Sequence, residues 1–119
     1  MLPPGNRLRL TREQRGTVRR GVRIGGRYLV VHVLDTGDDR PARAGFVVGR
    51  AVGSAVTRNA VRRRLRHLVC ERLGRLPYGS LVVVRAQAEA ANIPSALLGR
   101  DLEAVLDRAL SRRDEGERS

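Results

Sequence analysis

The spacing of apolar residues predicts three strands. Residues 28–34 and 43–50 are rich in β-branched and aromatic residues and predict the first two strands. A polar segment with glycine and proline, residues 35–41, separates them, so we expect an antiparallel hairpin with a long loop. Residues 81–84 are all apolar and predict a short strand inside the sheet, buried on both faces.

Predicted helices alternate with these strands along the chain. Residues 11–20 predict a short basic helix, and residues 56–73 predict a second helix. The apolar positions of the second helix recur at helical spacing: Val61, Leu65, Leu68, Val69 and Leu73. A last helix starts at Asn92 or Ser95 and ends near residue 111, with an apolar stripe of Leu98, Leu102, Val105, Leu106 and Ala109. This order predicts an α+β domain in which helices pack on a mixed sheet.

The length of 119 residues is enough for one domain with its own core. We predict a single domain at residues 1–111 and a charged tail at residues 112–119, which we expect to be disordered. Cys70 is the only cysteine, so an internal disulfide is excluded. The chain shows neither a membrane-spanning apolar segment nor the blocks of a signal peptide. We therefore expect a soluble, cytoplasmic protein with no membrane contact and no evident protein partner.

Positive charge is concentrated in the first half of the chain. The formal net charge is +12, from 24 arginines, no lysine and 12 acidic residues. Residues 1–66 contain 16 arginines and 4 acidic residues, whereas residues 67–119 contain 8 of each. A basic surface confined to one part of a small domain is typical of nucleic-acid-binding proteins, because clustered cations release the counterions condensed on phosphates.

The densest basic segment, residues 58–66, contains five arginines and no acidic residue. At about 100° per residue, the second helix places four polar side chains in one strip beside its apolar stripe: Asn59, Arg62, Arg63 and Arg66. Arg58 lies in the first turn, within reach of the same ligand, and Arg64 lies on the other flank. Because like charges at this density destabilise an isolated helix, we expect an anionic ligand at this strip.

The residue types favour RNA as the ligand and disfavour catalysis by the protein itself. Arginine pairs bidentately with phosphate and stacks on unpaired bases. The chain shows no helix-turn-helix or zinc module, and its three aromatic residues are too few for a stacking platform across a sheet. Its two histidines and scattered acidic residues indicate neither a catalytic triad nor a metal cluster.

The basic helix also carries a specific motif. The segment Arg58-Asn59-x-Val61-Arg62-Arg63-x-Leu65-Arg66 resembles the signature of the bacterial ribonuclease P protein subunit family. Further segments follow the order of that family: Asn6-Arg7-Leu8 near the start, Val52-Gly53 before the helix, and the leucine-rich last helix. The resemblance covers about residues 5–111.

The resemblance implies a fold and a function. The family has a single α+β domain in αβββαβα order, with helices on a mixed four-stranded sheet and a left-handed βαβ crossover. It therefore implies one more short strand, near residues 22–24. Family members bind the catalytic RNA of ribonuclease P and the 5′ leader of precursor tRNA, and assist removal of the leader to give the mature tRNA 5′ end. The RNA performs the hydrolysis with Mg²⁺, which implies neither a catalytic residue nor a dedicated metal or cofactor site in this chain.

The resemblance also implies which residues contact RNA. The residues expected to face the catalytic RNA are Arg50, Arg58, Asn59, Arg62, Arg63 and Arg66. The expected leader cleft, between the first helix and the sheet, comprises Arg12, Gln14, Arg15, Val18, Tyr28 and His32. The family usually has aromatic side chains where this chain has Gln14, Val18 and His32, so stacking on leader bases is weaker or built differently. By the strand period of two, Tyr28 shares a face with His32 and is the expected replacement.

Two other functions stay open on the sequence alone. A non-catalytic ribosome-associated or RNA-chaperone protein would carry the same basic surface, and the RNA that copurifies with the chain would distinguish it. A nuclease with its own active site would cleave RNA without an RNA subunit. The sparse histidines and scattered acidic residues disfavour this last function.

Overall fold

The structure, a computed structural model, describes residues 2–8 and 11–118. The helices are α1 (Thr11–Arg20), α2 (Ala55–Cys70) and α3 (Ser95–Arg118). The strands are β1 (Val22–Gly25), β2 (Leu29–Asp35), β3 (Arg43–Val48) and β4 (Ser80–Ala86). The chain therefore has the αβββαβα order that the resemblance implies, including the short strand near residues 22–24.

The four strands form one mixed sheet in the order β1-β2-β4-β3. The central strand β4 is antiparallel to β2 and parallel to β3. The predicted hairpin between β2 and β3 is therefore wrong, and β1 forms the antiparallel hairpin with β2 instead. Val82, Val83 and Val84 are 0% exposed. A strand that is apolar on both sides is buried in this way only when strands flank it and helices cover both faces, so β4 takes the centre of the sheet.

Helices cover both faces of the sheet. On one face, the apolar stripes of α2 and α3 form the main core with alternate residues of the strands, such as Val31 of β2 and Val84 of β4. On the other face, α1 packs over β2 and β4, where Val18 contacts a smaller cluster that includes Leu81 and Val83. The predicted stripe of the last helix is confirmed at no more than 1% exposure: Leu98, Leu102, Val105, Leu106 and Ala109.

Several elements end at other positions than predicted. α2 begins after Ser54, whose side chain caps the helix by accepting a hydrogen bond from the backbone N–H of Thr57. It ends before Leu73, which lies in a separate short helical turn. The helical backbone of α3 starts at Ser95 and continues past residue 111 to Arg118. The division of the chain into a domain and a tail at residue 112 stays a prediction.

The β1–β2 hairpin is held against α3 by one carboxylate. Asp101 accepts hydrogen bonds from the backbone N–H groups of Arg27, Tyr28 and Leu29, each at 2.9 Å. Gly26 permits this close approach, because a Cβ at that position would lie 2.7 Å from the carboxylate. The turn of the hairpin therefore depends on a residue more than seventy positions away in the sequence.

Candidate nucleic-acid interface

α2 presents its predicted polar strip to solvent. Asn59, Arg63 and Arg66 are exposed, and Arg58 and Arg62 are partly exposed. The apolar stripe of the same helix is buried: Val61, Leu65, Leu68 and Val69. The helical period that buries the aliphatic side chains in the core thus turns the guanidinium groups outward.

Contacts within the strip hold Arg62 beside the sheet. Its Nη1 donates to Asn59 Oδ1 at 2.9 Å, and its Nη2 donates to the carbonyl oxygen of Val48 at 3.5 Å. Arg50 lies exposed in the short turn that leads from β3 into α2. Within residues 2–8 and 11–118, none of the arginines expected to face RNA forms an ion pair. Their charge is therefore available to an anionic ligand.

Arg64 has a different role from its neighbours in α2. Its Nη1 donates to the carbonyl oxygen of Ile93 at 2.9 Å, and its Nη2 donates to that of Ala90 at 2.8 Å. Both carbonyls belong to the segment between β4 and α3. Arg64 thus ties α2 to this segment, whereas the helical projection placed it only on the other flank of the basic strip.

We expect the Arg64→Ala variant to lower the free energy of unfolding by about 1–3 kcal/mol, because two charge-assisted hydrogen bonds are lost and two carbonyls lose their donor. The matched control is Arg63→Ala, which removes an exposed guanidinium one position earlier. That change should alter the free energy of unfolding by less than about 0.5 kcal/mol. Urea unfolding measures both values, and equal losses in the two variants would contradict the structural role of Arg64.

A groove of about 420 Å³ lies between α1 and the sheet. Its lining includes Gln14, Arg15 and Val18, three of the residues that the resemblance assigns to the leader cleft. Two further arginines line it, Arg19 from α1 and Arg85 from β4, and neither was predicted. Arg19 follows Arg15 at helical spacing, and the apolar run of β4 contains one charged residue, so both signals were present in the sequence.

The structure places the other expected cleft residues outside this lining. Arg12 lies next to Arg15 in a shallow depression along the exposed side of α1. Tyr28 precedes β2 and packs against the main core, on the opposite face of the sheet from α1. Its ring centroid lies 5.5 Å from the guanidinium carbon of Arg27. The expectation that Tyr28 shares a face with His32 is wrong, because the alternation of faces begins only at Leu29.

His32 is buried on the α1 side of the sheet, with 5% of its surface exposed. Burial lowers the pKa of its imidazole below the ordinary value of 6.5, and the charges of Arg23 and Arg85 lower this pKa further. Its Nδ1 is buried without a hydrogen-bond partner in the part of the chain that the structure describes. The fold therefore favours the neutral imidazole.

The free energy of unfolding should fall as the pH drops from about 7.5 to about 5.5. The unfolded chain binds a proton at His32 near pH 6.5, whereas the folded chain binds that proton only at lower pH. Protons thus favour the unfolded state below about pH 6.5. Urea unfolding at both pH values should show a smaller fall for His32→Leu than for the unmodified chain. An unchanged fall in His32→Leu would contradict this assignment.

A second depression, of about 290 Å³, lies between α2 and the N-terminal segment. Arg62 and Arg66 line it from α2, and Arg7 lines it from the N-terminal segment. Gln14 lines both this depression and the groove under α1. The basic surface is therefore continuous from α1 across Gln14 to α2, although its arginines come from distant parts of the sequence.

Two acidic side chains, Glu13 and Asp101, hold elements of the fold together. Glu13 of α1 accepts a hydrogen bond from the buried Arg43 of β3 at 2.9 Å, and Asp101 holds the β1–β2 hairpin.

Across residues 2–8 and 11–118, no three side chains of His, Cys, Asp or Glu form a group able to hold a metal ion. In the same part of the chain, none of the helices has both the length and the apolar character needed to cross a membrane.

The chain matches known proteins over most of its length. The family model Ribonuclease P matches residues 2–110. The ribonuclease P protein component of Streptomyces bikiniensis is 53% identical over 118 residues, which cover 92% of this chain and 96% of that protein. The solved RNase P protein from Thermotoga maritima is 28% identical, with a TM-score of 0.76 over 86% of this chain and 96% of that one. The RNase P protein from Staphylococcus aureus is 22% identical, with a TM-score of 0.79 over 87% of this chain and 94% of that one. The family model and the identity to the Streptomyces protein show that this chain belongs to the ribonuclease P protein family.

Proposed function

We propose that this chain is the protein subunit of ribonuclease P and assists the endonucleolytic removal of the 5′ leader from precursor tRNA. Family membership supports this function, since the Streptomyces relative is a ribonuclease P protein component. The observation that carries the proposal is the continuous basic surface, in which arginines of α1, the N-terminal segment and α2 meet, none of them in an ion pair with another described residue. Such a surface fits a phosphate backbone.

The two parts of the basic surface take two RNA partners in this proposal. The strip on α2 binds the catalytic RNA, with Arg50 beside it. The groove between α1 and the sheet binds the leader of precursor tRNA. Because this groove is lined by Gln14, Val18 and several arginines, its contacts go to leader phosphates more than to stacked bases.

The contribution of the chain to the reaction is electrostatic. Two RNA molecules that approach each other repel through their phosphates, and a basic subunit between them offsets this repulsion. We assign the hydrolysis itself to the RNA with Mg²⁺, and no side chain of this protein to the reacting phosphate. The protein then raises the affinity for the substrate without contacting the bond that is cleaved.

Reconstitution tests this function. A precursor tRNA with a 5′ leader is incubated at near-physiological Mg²⁺ with a bacterial ribonuclease P RNA, with this protein, or with both. Efficient cleavage to the mature 5′ end by the mixture alone supports the proposal. Tight RNA binding without any stimulation of cleavage would instead support a ribosome-associated or RNA-chaperone function. Cleavage by the protein alone would indicate a protein active site.

The affinity for RNA should fall steeply with salt. If the surface contacts about six phosphates, log K against log[salt] should have a slope of roughly −4 to −5. The slope is measured by titrating a labelled ribonuclease P RNA with the protein at several salt concentrations. A slope near zero would contradict binding through the basic surface.

A further inference from the structure

The depression between α2 and the N-terminal segment has an apolar wall as well as a basic rim. Phe46 of β3 lines it together with the buried Leu2 and Leu8, and the guanidinium groups of Arg7, Arg62 and Arg66 surround this wall. Its volume of about 290 Å³ is close to the lower limit of roughly 300 Å³ for small-ligand pockets. A depression of this size is large enough for one nucleotide.

Phe46 is the aromatic side chain best placed to stack on a base. The sequence has three aromatic residues: Tyr28, Phe46 and Tyr78. Tyr28 packs against the main core under Arg27, and Tyr78 is 66% exposed in the turn before β4. Phe46 also packs against the main core, but it is partly exposed, and within the described residues it alone among the three lines one of these basic depressions.

The side chains around Phe46 are held in place but keep free donors. Arg7 donates through Nε to the carbonyl oxygen of Leu2 at 3.0 Å, which orients its terminal amino groups. Gln14 Nε2 donates to the carbonyl oxygen of Leu8 at 3.1 Å. Gly45 leaves room for this amide, since a Cβ there would lie 2.7 Å from Gln14 Nε2. Arg66 is exposed and forms no ion pair in the described part of the chain, so its guanidinium can bind phosphate.

We propose that this depression binds a single unstacked nucleotide of an RNA partner, with its base against Phe46 and its phosphate on Arg62 and Arg66. The proposal rests on the proposed RNA-binding function and adds a stacking site to a surface that is otherwise electrostatic. Stacking on an aromatic side chain tolerates any base, because every base has a π-face. The site therefore selects unpaired RNA over duplex, without selecting a sequence.

Photochemical crosslinking of the full-length chain tests the site directly. The probe is a single-stranded RNA of about eight nucleotides with one 5-iodouridine, a base that crosslinks to aromatic side chains stacked on it. Irradiation followed by mass spectrometry should place the crosslink at Phe46. A crosslink at Tyr28 or Tyr78, or none from a probe that binds tightly, would overturn the proposal.

Affinity measurements separate stacking from charge. Phe46→Leu should weaken binding of single-stranded RNA about fivefold or more and leave binding of a duplex of the same sequence unchanged. It should also leave the slope of log K against log[salt] unchanged, whereas Arg66→Ala should reduce that slope by about 0.7–0.9. Phe46→Tyr should restore the affinity, because it keeps the ring. A purely structural role of Phe46 would instead lower the affinity for both RNA forms together with the thermal midpoint.

Tyr78→Leu is the matched control, since it removes an exposed aromatic ring outside the depression. It should leave the affinity for single-stranded RNA unchanged. One outcome is that the unmodified chain binds RNA and stimulates cleavage while Phe46→Leu binds single-stranded RNA with the same affinity. In that case only the nucleotide site is overturned. If the unmodified chain neither binds RNA nor stimulates cleavage, the proposed function fails as well.

Discussion

The Asp101→Ala variant should lose about 2–4 kcal/mol of unfolding free energy. The change removes the acceptor of three backbone N–H groups in the turn between β1 and β2. Two of these groups, those of Tyr28 and Leu29, are partly buried and would lose their partner. Domains of this size have total stabilities of about 5–15 kcal/mol, so a large share of the fold's stability depends on this carboxylate. Urea unfolding followed by far-UV circular dichroism measures the loss.

Asp107→Ala provides the matched control for Asp101, because it removes a second aspartate from the same helix. Asp107 pairs with Arg75 at an exposed position, and such pairs contribute less than about 1 kcal/mol. Asp101→Asn keeps one acceptor oxygen, so its loss of unfolding free energy should lie between the losses of the two alanine variants. A loss in Asp101→Ala no larger than that in Asp107→Ala would show that the backbone hydrogen bonds do not stabilise the hairpin.

The second large effect is expected on RNA binding. Replacing Arg63 and Arg66 together by alanine should weaken binding of ribonuclease P RNA by about 30- to 100-fold at moderate salt, because each exposed guanidinium neutralises about one phosphate. The slope of log K against log[salt] should decrease in magnitude by roughly 1.5. The thermal midpoint should stay the same, since neither side chain makes an ion pair within the described residues. Filter binding over a salt series measures both quantities.

The control for this double variant is a second one with the same change in net charge. Arg100 and Arg112 are exposed on α3, and replacing both by alanine also removes two positive charges. If binding depends on the strip of α2, this control should weaken binding by less than about threefold. Equal effects of the two double variants would mean that total charge, and not the surface of α2, determines the affinity.

The local pattern of apolar and polar residues was sufficient to predict most of the helices and strands and the main basic strip. The period of the aliphatic residues in α2 determines both what it buries and what it exposes, so Arg63 and Arg66 could be placed from the sequence. The order of the helices and of the other three strands could be predicted because each of these elements has a residue pattern of its own. The family motif added the short strand β1, which is too short for a period of its own.

Strand pairing could not be predicted in the same way. The sequence favoured a β2–β3 hairpin because these strands are neighbours along the chain with a turn between them. Which strands pair is a property of the whole sheet, and the burial of both sides of β4 outweighs sequence proximity. The same sheet order brings Arg85 of β4 under α1, although the sequence marks it only as the one charged residue in an apolar run.

The sequence by itself determined the family, the order of helices and strands along the chain, and the helix face that carries the exposed arginines, because these depend on residue types and on periods of a few residues. Only the tertiary structure decided which arginines are free for RNA. Arg63 and Arg64 are adjacent in the sequence, yet Arg64 donates to two carbonyls of a segment almost thirty residues away. Tertiary packing likewise set Tyr28 and Phe46 against the main core and gave only Phe46 a place in the lining of the depression beside α2, because the positions of distant segments determine what each side chain contacts.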